Sequence, residues 1–409
     1  MEKIVMISPA VPNENGWGIE RRAANELKAL SKKFDVYLII IKLHDKGTRI
    51  SDHLKSLCND VLHISVKVGG SLIKPWFKGF SLINEIIQPI HRRNMPDIIQ
   101  MDVINDFLNR SLATKVFCFR LRSAVVFREL ERKCKLRDSW KKIVDIDDIE
   151  SIAIKRELEH ISNEGGFEYN LIQRIRALRL SFFESMLLKK FDTVFCCSTL
   201  DKKKLIDKYG CDEVKIRVLP NCVPIPSLYN ENKQEYGGIN ILFVGAMQYL
   251  PNKDAVIWFT EEIYPKIIAR ATKSVTLTLV GFDPDKRVRN LGLIPGVTVT
   301  GSVESVEPYL HKCDIFVAPI RFGGGTRIKI LEAMSYGVPV IATSMGAEGI
   351  AAENNREIVL ADDAQSISEA CLKLISDKTQ REGLSVNGQA LVTNNYTLKA
   401  VSKIFQESF

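Results

Sequence analysis

Short apolar runs separated by amphipathic stretches recur along the whole chain of 409 residues. Residues 4–8 form an apolar run of strand length, residues 19–32 repeat apolar positions at helical spacing, and residues 36–41 return to strand. Residues 61–66 and then 97–101 continue the series of strands. The stretch 125–195 is richer in helical spacing, with 152–190 its longest periodic segment. Residues 192–198 and 214–219 read as the last strands of this half. Pro220-Asn221-Cys222-Val223-Pro224-Ile225-Pro226 is a stiff, turn-rich break, and residues 229–238 are polar. The same grammar then restarts, with strands at 239–244, 275–280, 297–300, 315–318 and 338–342. A helix at 251–270 carries Trp258 and Phe259 on its apolar side, and residues 396–409 form a separate amphipathic helix. Strands alternating with helices predict mostly parallel, doubly wound sheets. The predicted fold is α/β, with two Rossmann-like domains facing a cleft. The boundaries fall at 1–220 for the first domain, 221–238 for the linker and 239–394 for the second domain. The terminal helix, 395–409, is in a position to cross back to the first domain.

The densest chemistry lies at residues 323–343. Gly323, Gly324 and Gly325 let a ligand approach their backbone closely. Thr326 suits an N-cap, with its hydroxyl on a free N–H of the first turn. A helix N-terminus attracts anions through unpaired N–H groups and the macrodipole. Arg327 and Lys329 fall in that first turn, where cations are disfavoured, so the pattern points to a bound anion such as a diphosphate. The competing reading is a pair of solvated cations, with Lys329 and Glu332 forming an ordinary i, i+3 surface pair. Gly337 ends the helix, and an apolar strand follows. In the other half, Gly16 and Gly18 sit in the loop after the first strand. Arg21 occupies the third glycine position of a dinucleotide fingerprint, which argues against a nicotinamide enzyme. Lys253, near a helix start at Pro251, is a further cation at a strand end, or a plain surface lysine. Asp145 and Asp147 have the spacing of a carboxylate pair for a divalent ion, as do Asp283 and Asp285.

Composition narrows the field. Apolar residues make up 45% of the chain, enough for a core in each domain. No apolar run reaches bilayer-spanning length, and the first residues enter a strand directly, without the pattern of a secretory signal. Nine cysteines without a Cys-x-x-Cys pair fit a reduced, cytoplasmic chain. His44, His53, His63, His91, His160 and His311 lack metal-ligand spacing, so no metal site is expected. The net charge of +8 is uneven: residues 1–220 hold 39 Lys and Arg against 29 Asp and Glu, and the remainder 18 against 20. The basic half is either a solvated surface or a contact with anionic lipid headgroups or a lipid-diphosphate acceptor. No nucleic-acid motif accompanies the charge.

Residues 241–252, Ile-Leu-Phe-Val-Gly-Ala-Met-Gln-Tyr-Leu-Pro-Asn, with Asp254, Ala255, Trp258 and Phe259, resemble the retaining glycosyltransferases of family 4, of GT-B fold. So do residues 297–301 and 306–309 and the stretch from Ala318 to Gly349, whose Gly-Gly-Gly-Thr-Arg loop is that of one branch. The resemblance is looser at Pro9, the Gly16/Gly18 loop, Arg21, Arg22 and Pro220-Asn221. It implies that Glu332 binds the donor's ribose and that Lys253 faces its diphosphate. It also exposes departures: Gly324 stands where the family's first paired acid lies, Met247 where an arginine lies, and Asp147 where a first-domain histidine lies.

The expectation is a cytoplasmic retaining transferase moving a sugar from a nucleotide diphosphate-sugar to a hydroxyl acceptor, lipid-linked or saccharide, for a surface polysaccharide or glycoconjugate. Its site would comprise Arg327, Lys329 and Asp147 at the chemistry and Lys253, Gly324, Gly325, Thr326 and Glu332 on the donor, with Gly16 and Gly18 in a substrate loop. No cofactor beyond the donor is expected, and peripheral contact with an anionic membrane is. Three other readings stay open: a catalytically degenerate nucleotide-binding or partner subunit, a metal-dependent transferase using Asp145 and Asp147, and a sugar-nucleotide epimerase.

Overall fold

The structure is a computed structural model and describes residues 1–16, 18–43, 49–66, 95–134, 140–161, 167–226 and 238–408. Contacts divide the chain into two compact units. One is Met1–Pro220 together with the C-terminal residues from Ser402 onward; the other is Asn221–Val401.

The first unit is built on strands β1 Glu2–Ser8, β2 Phe34–Leu43, β3 Cys58–Val66, β4 Lys115–Phe119, β5 Lys141–Ile146, β6 Thr193–Cys196 and β7 Ile216–Val218. They lie in the order 3-2-1-4-5-6-7, all parallel. A parallel sheet is covered on both faces, so its central strands read as unbroken apolar runs. Ile4, Val5, Met6 and Ile7 of β1 are each 0% exposed.

The second unit repeats the plan with β8 Gly238–Val244, β9 Ser274–Val280, β10 Val297–Gly301, β11 Ile315–Ala318, β12 Val340–Ala342 and β13 Val359–Leu360. Their order is β10-β9-β8-β11-β12-β13, again parallel. In both sheets the order reverses beside the first strand, between β1 and β4 and between β8 and β11. Ligands of such sheets bind outside the carboxyl ends of the strands at that reversal.

Several expectations are corrected. Residues 97–101 are a helix start: Asp97 caps Ile98–Ser111, accepting from the Gln100 N–H at 2.8 Å while its own N–H donates to Gln100 Oε1 at 3.1 Å. Asp-Ile-Ile-Gln is a capping box, and this reciprocal pairing outweighs the apolar dipeptide inside it. The strand that the expected series left out here is β4, Lys115–Phe119. Residues 152–190 hold two helices, Glu150–Ile161 and Phe167–Leu188. The helix expected at 251–270 is Leu250–Trp258, a π-turn Phe259–Ile263 and Tyr264–Ile268. Pro265 lacks the N–H that would continue the regular ladder there. Gly18 is the first residue of the helix Gly18–Ser31 rather than a loop residue, and Gly16 stays in the turn. Most of the expected linker, residues 227–237, and Trp17 lie outside the described residues. The terminal helix is Leu398–Glu407, and its Phe405 lies against Phe117 and Phe195 of the first unit.

Candidate functional site

The reversal point of the second sheet gathers most of the chemistry singled out from the sequence. β8 ends at Val244 and leads through Gly245 to the helix Leu250–Trp258. β11 ends at Ala318 and leads through the glycine loop to the helix Ile328–Ser335. Side chains hold these two connections together. Lys329 Nζ donates to Asn252 Oδ1 at 2.7 Å, and Asn252 Nδ2 donates to the Ala246 carbonyl at 2.9 Å. Arg321 makes a bidentate pair with Asp254, at 2.8 and 2.6 Å, and its guanidinium lies 4.8 Å over the Trp258 ring. Thr343, after β12, anchors the other side of the loop: its hydroxyl donates to the Ile320 carbonyl and accepts from the Gly346 N–H at 2.9 Å.

The ammonium of Lys329 has an unusual setting. It sits 4.3 Å over the Phe243 ring, and its hydrogen-bond partner Asn252 is neutral. Desolvation first, and the Arg327 charge second, hold its pKa well below the ordinary lysine range, with Glu332 acting in the opposite direction. Glu332 is thus coupled to Lys329 by charge, the relation that their i, i+3 spacing suggests. A Cβ on Gly245 would lie 2.6 Å from Lys329 Nζ and 2.7 Å from Asn252 Nδ2, so both side chains would have to shift to admit it.

The helix start departs from the expected cap. The N-cap is Arg327, with no side-chain cap bond, and Thr326 precedes it. The Thr326 hydroxyl is buried without a hydrogen-bond partner. The positive φ of Gly325, 70°, turns the backbone ahead of Thr326, so its oxygen misses the first-turn amides. Arg327 folds back over its own loop, donating to the Gly324 and Phe322 carbonyls. Gly323 has φ 112°, and a Cβ there would meet Arg327 Nη2 at 2.8 Å. Lys253 pairs with Asp285, which also caps the next helix by accepting from the Val288 N–H at 2.9 Å. Lys253 is therefore neither a solitary cation nor a plain surface lysine. Met247, where the resemblance implies an arginine, is a core residue at 1% exposure.

The first unit has its own cluster at the carboxyl ends of β4 and β5. Asp145 is fully buried, and both its oxygens accept from Arg22, Nε and Nη2, at 2.7 Å each. Arg22 also donates to the Leu219 carbonyl at 3.0 Å. This corrects the reading of Asp145 as half of a metal pair, because an arginine already fills its acceptor positions. Glu26 is buried beside them, and desolvation and the Asp145 charge raise its pKa well above the carboxylate range. Asp147 pairs with Arg120, and the Cys197 thiol donates to the Asp147 carbonyl at 3.2 Å. Arg120 holds φ 68°, a left-handed backbone that costs a residue with a Cβ about 1–2 kcal/mol.

Sequence reasoning missed Arg321 and Arg120 as site components, and it read Asp285 as half of a carboxylate pair with Asp283, whereas Asp285 pairs with Lys253 and caps the helix Lys286–Asn290. Each arginine is an isolated charge in sequence, and only the strand order gives it a partner. The nearest signal was Asp254 and Trp258, which carried the resemblance but revealed nothing of what they hold.

Two parallel α/β units of this topology define a class, the GT-B glycosyltransferase fold. Sucrose-phosphate synthase of Thermosynechococcus elongatus superposes with TM-score 0.68 at 16% identity, over 100% of this chain and 98% of that one. HepE of Anabaena, solved with UDP and glucose, superposes with TM-score 0.64 at 15% identity, over 100% and 99%. More narrowly, residues 238–377 match the family model described as glycosyl transferases group 1. An uncharacterised 44.6 kDa protein in the cps region of Klebsiella pneumoniae is 26% identical over 241 residues, 56% of this chain and 62% of that one. The lipopolysaccharide core biosynthesis mannosyltransferase LpsB of Rhizobium meliloti is 29% identical over 129 residues, 30% of this chain and 36% of that one. The chain thus covers less than two thirds of either relative's length.

Proposed function

We propose that the chain is a retaining glycosyltransferase of family 4, acting in the cytoplasm. It moves a sugar from a nucleotide diphosphate-sugar to a hydroxyl acceptor during assembly of a surface polysaccharide or glycolipid. One observation carries the reading. A desolvated lysine ammonium, a buried hydroxyl without a partner and an arginine resting on loop carbonyls meet at a sheet reversal, inside the segment that matches group 1.

Such a site is suited to charge that grows on a leaving diphosphate. Lys329 gains in that step what burial costs it in the free protein. Arg327 exchanges carbonyl partners for phosphate oxygens, and the Thr326 hydroxyl and the nearby amides donate to the same group. Gly324 and Gly325 admit the ligand to the backbone, Glu332 takes the ribose, and Lys253, shared with Asp285, lies at the rim. No metal or other cofactor is invoked. Asp147, the turn at Gly16 and the helix start at Gly18 are assigned to the acceptor. The relatives' names motivate a polysaccharide or lipopolysaccharide product.

The test is consumption of nucleotide sugars with and without lipid-linked acceptors. Unchanged turnover in Arg327→Ala with Lys329→Ala would sink the leaving-group role. A second reading, a nucleotide-binding partner subunit, is favoured by Met247 in the core and by the absence of a carboxylate at Gly324. Calorimetry that finds nucleotide diphosphate binding, with no transfer or hydrolysis of any donor, selects it.

A further inference from the structure

The first unit presents two apolar stripes on one face of its sheet, and their charges are opposite. The helices Ile98–Ser111 and Phe167–Leu188 both touch the helix Arg120–Cys134. Phe107, Phe127 and Leu187, one from each helix, are buried in a single cluster with Val116 and Val144 of the sheet. The three helices therefore cover the same face, and Arg120–Cys134, which joins β4 to β5, lies between the other two. Outward, Ile98 and Ile99 are exposed by 73 and 76%, and Leu178 and Phe182 by 72 and 70%. Val103 extends the first stripe, and Leu171 and Met186 extend the second. Two apolar stripes left open on one face call for a partner.

Charge decides the occupant. Asp97 to Leu112 carries three acidic residues, Asp97, Asp102 and Asp106, against Arg110. Asp102 and Asp106 follow Ile98 at four-residue steps and are exposed, so they share its stripe. Phe167 to Lys190 carries five basic residues against Glu168 and Glu184, and Glu184 is buried. Arg174, Leu178, Phe182, Met186 and Lys190 fall at four-residue steps, and all five are exposed. This second stripe is thus apolar in the middle with a cation at each end.

We propose that the occupant is a second copy of this chain, in a two-fold dimer that sets the acidic stripe of each copy on the basic stripe of the other. A two-fold contact pairs residue i with j and j with i, so one operation covers both stripes. The alternative pairings, acidic on acidic or basic on basic, set like charges opposite each other. An anionic lipid surface would attract one stripe and repel the other.

The dimer does not rest on the proposed function, and its test contains neither donor nor acceptor. Sedimentation velocity of the full chain over a concentration series is expected to show twice the chain mass, with a dissociation constant that rises with salt. Asp102→Lys with Asp106→Lys reverses the acidic stripe, and Arg174→Glu with Lys190→Glu reverses the two cations of the basic one. Each variant alone is expected to bind itself about tenfold more weakly per reversed charge. An equimolar mixture of the two is expected to regain the dimer, since each then offers the charge that the other opposes. All four positions are exposed, so unchanged circular dichroism is expected. Should either reversal fail to fold, Leu178→Ser with Phe182→Ser is expected to leave the chain monomeric, and the salt series reads the charge dependence. A wild-type chain that stays monomeric, whether or not it floats with phosphatidylglycerol vesicles, would overturn the proposal. So would reversals that leave the dissociation constant unchanged, or an acidic-stripe reversal that dimerises as tightly as the wild type.

Discussion

Lys329 Nζ reaches Asn252 Oδ1 at 2.7 Å across 77 positions of sequence, joining the two helix starts that flank the β8/β11 reversal. The bond binds a desolvated cation to a neutral amide. In the free protein this is a poor bargain for the lysine, and it becomes a good one when a diphosphate arrives.

Lys329→Met is therefore expected to leave the ligand-free fold as stable as before or more so, because it removes a desolvated charge. Transfer should fall by about a hundred- to a thousandfold, or roughly 2.7–4 kcal/mol of transition-state stabilisation. Urea unfolding read beside initial rates separates this outcome from a merely structural lysine, whose loss would lower both.

The same lysine gives a pH signature. Its pKa in the fold lies below that of the unfolded chain, so between the two values the unfolded chain holds a proton that the fold lacks. Stability of the ligand-free protein should rise with pH across that window, up to the ordinary lysine range. A bound diphosphate restores the proton, so nucleotide binding should take up protons and weaken as pH climbs. Calorimetry in two buffers of different ionisation enthalpy measures the uptake directly.

Glu184 in the first unit titrates with the opposite consequence. Burial pushes its carboxyl up to about 7, although the Ser151 hydroxyl and amide and the Tyr209 hydroxyl favour the charged form. The fold holds the proton more tightly than the unfolded chain. Stability from this group is complete below the ordinary glutamate range and is lost as pH rises toward 7, by about 3 kcal/mol at most. Glu184→Gln should flatten that slope between pH 5 and 8 in urea melts.

Two glycine substitutions should act in opposite directions. A Cβ on Gly281 would fall 1.9 Å from the Gly245 carbonyl oxygen, which is backbone and has to move. Gly281→Ala is expected to cost about 1–3 kcal/mol and to disturb Lys329 through Gly245. Gly383 lies in the helix Lys378–Asn395 with nothing within 4 Å of its would-be Cβ. Gly383→Ala should add about 0.5–1 kcal/mol. Thermal melts of both, beside nucleotide binding, check the contrast.

Arg321→Ala should lower the stability of the second unit by about 1–2 kcal/mol, since the Asp254 pair is partly exposed and the Trp258 contact adds to it. A double-mutant cycle with Asp254→Asn isolates the pair.

The strand series was legible where both faces of a strand are covered. Ile4 to Ile7 and Ile315 to Ala318 are continuous apolar runs that no helix of that length would need. β4 was not legible, because its four buried residues stand inside a basic segment whose charges belong to its neighbours. Asp97 misled because a capping box and a strand start share an acidic residue before two isoleucines. At the candidate site, the glycine loop and its cations were readable as types in a local pattern. The clamp of Arg321 on Asp254, 67 positions away, was not, because it exists only once β8 and β11 lie side by side. Nor could the sequence tell that Thr326 would miss its cap, which turns on a single backbone angle at Gly325.

Phe405 stacks on Phe195, with ring centroids 5.5 Å apart, and meets Phe117 edge-on at 5.6 Å. Lys33 fastens the same helix by donating to the Gln406 carbonyl at 3.0 Å. During synthesis, every residue of the second unit leaves the ribosome before this aromatic plug. The first unit therefore spends the whole translation of its neighbour with an open apolar socket at Phe117 and Phe195. That socket closes only once the end of the helix Leu398–Glu407, which follows the second unit in sequence, has been made.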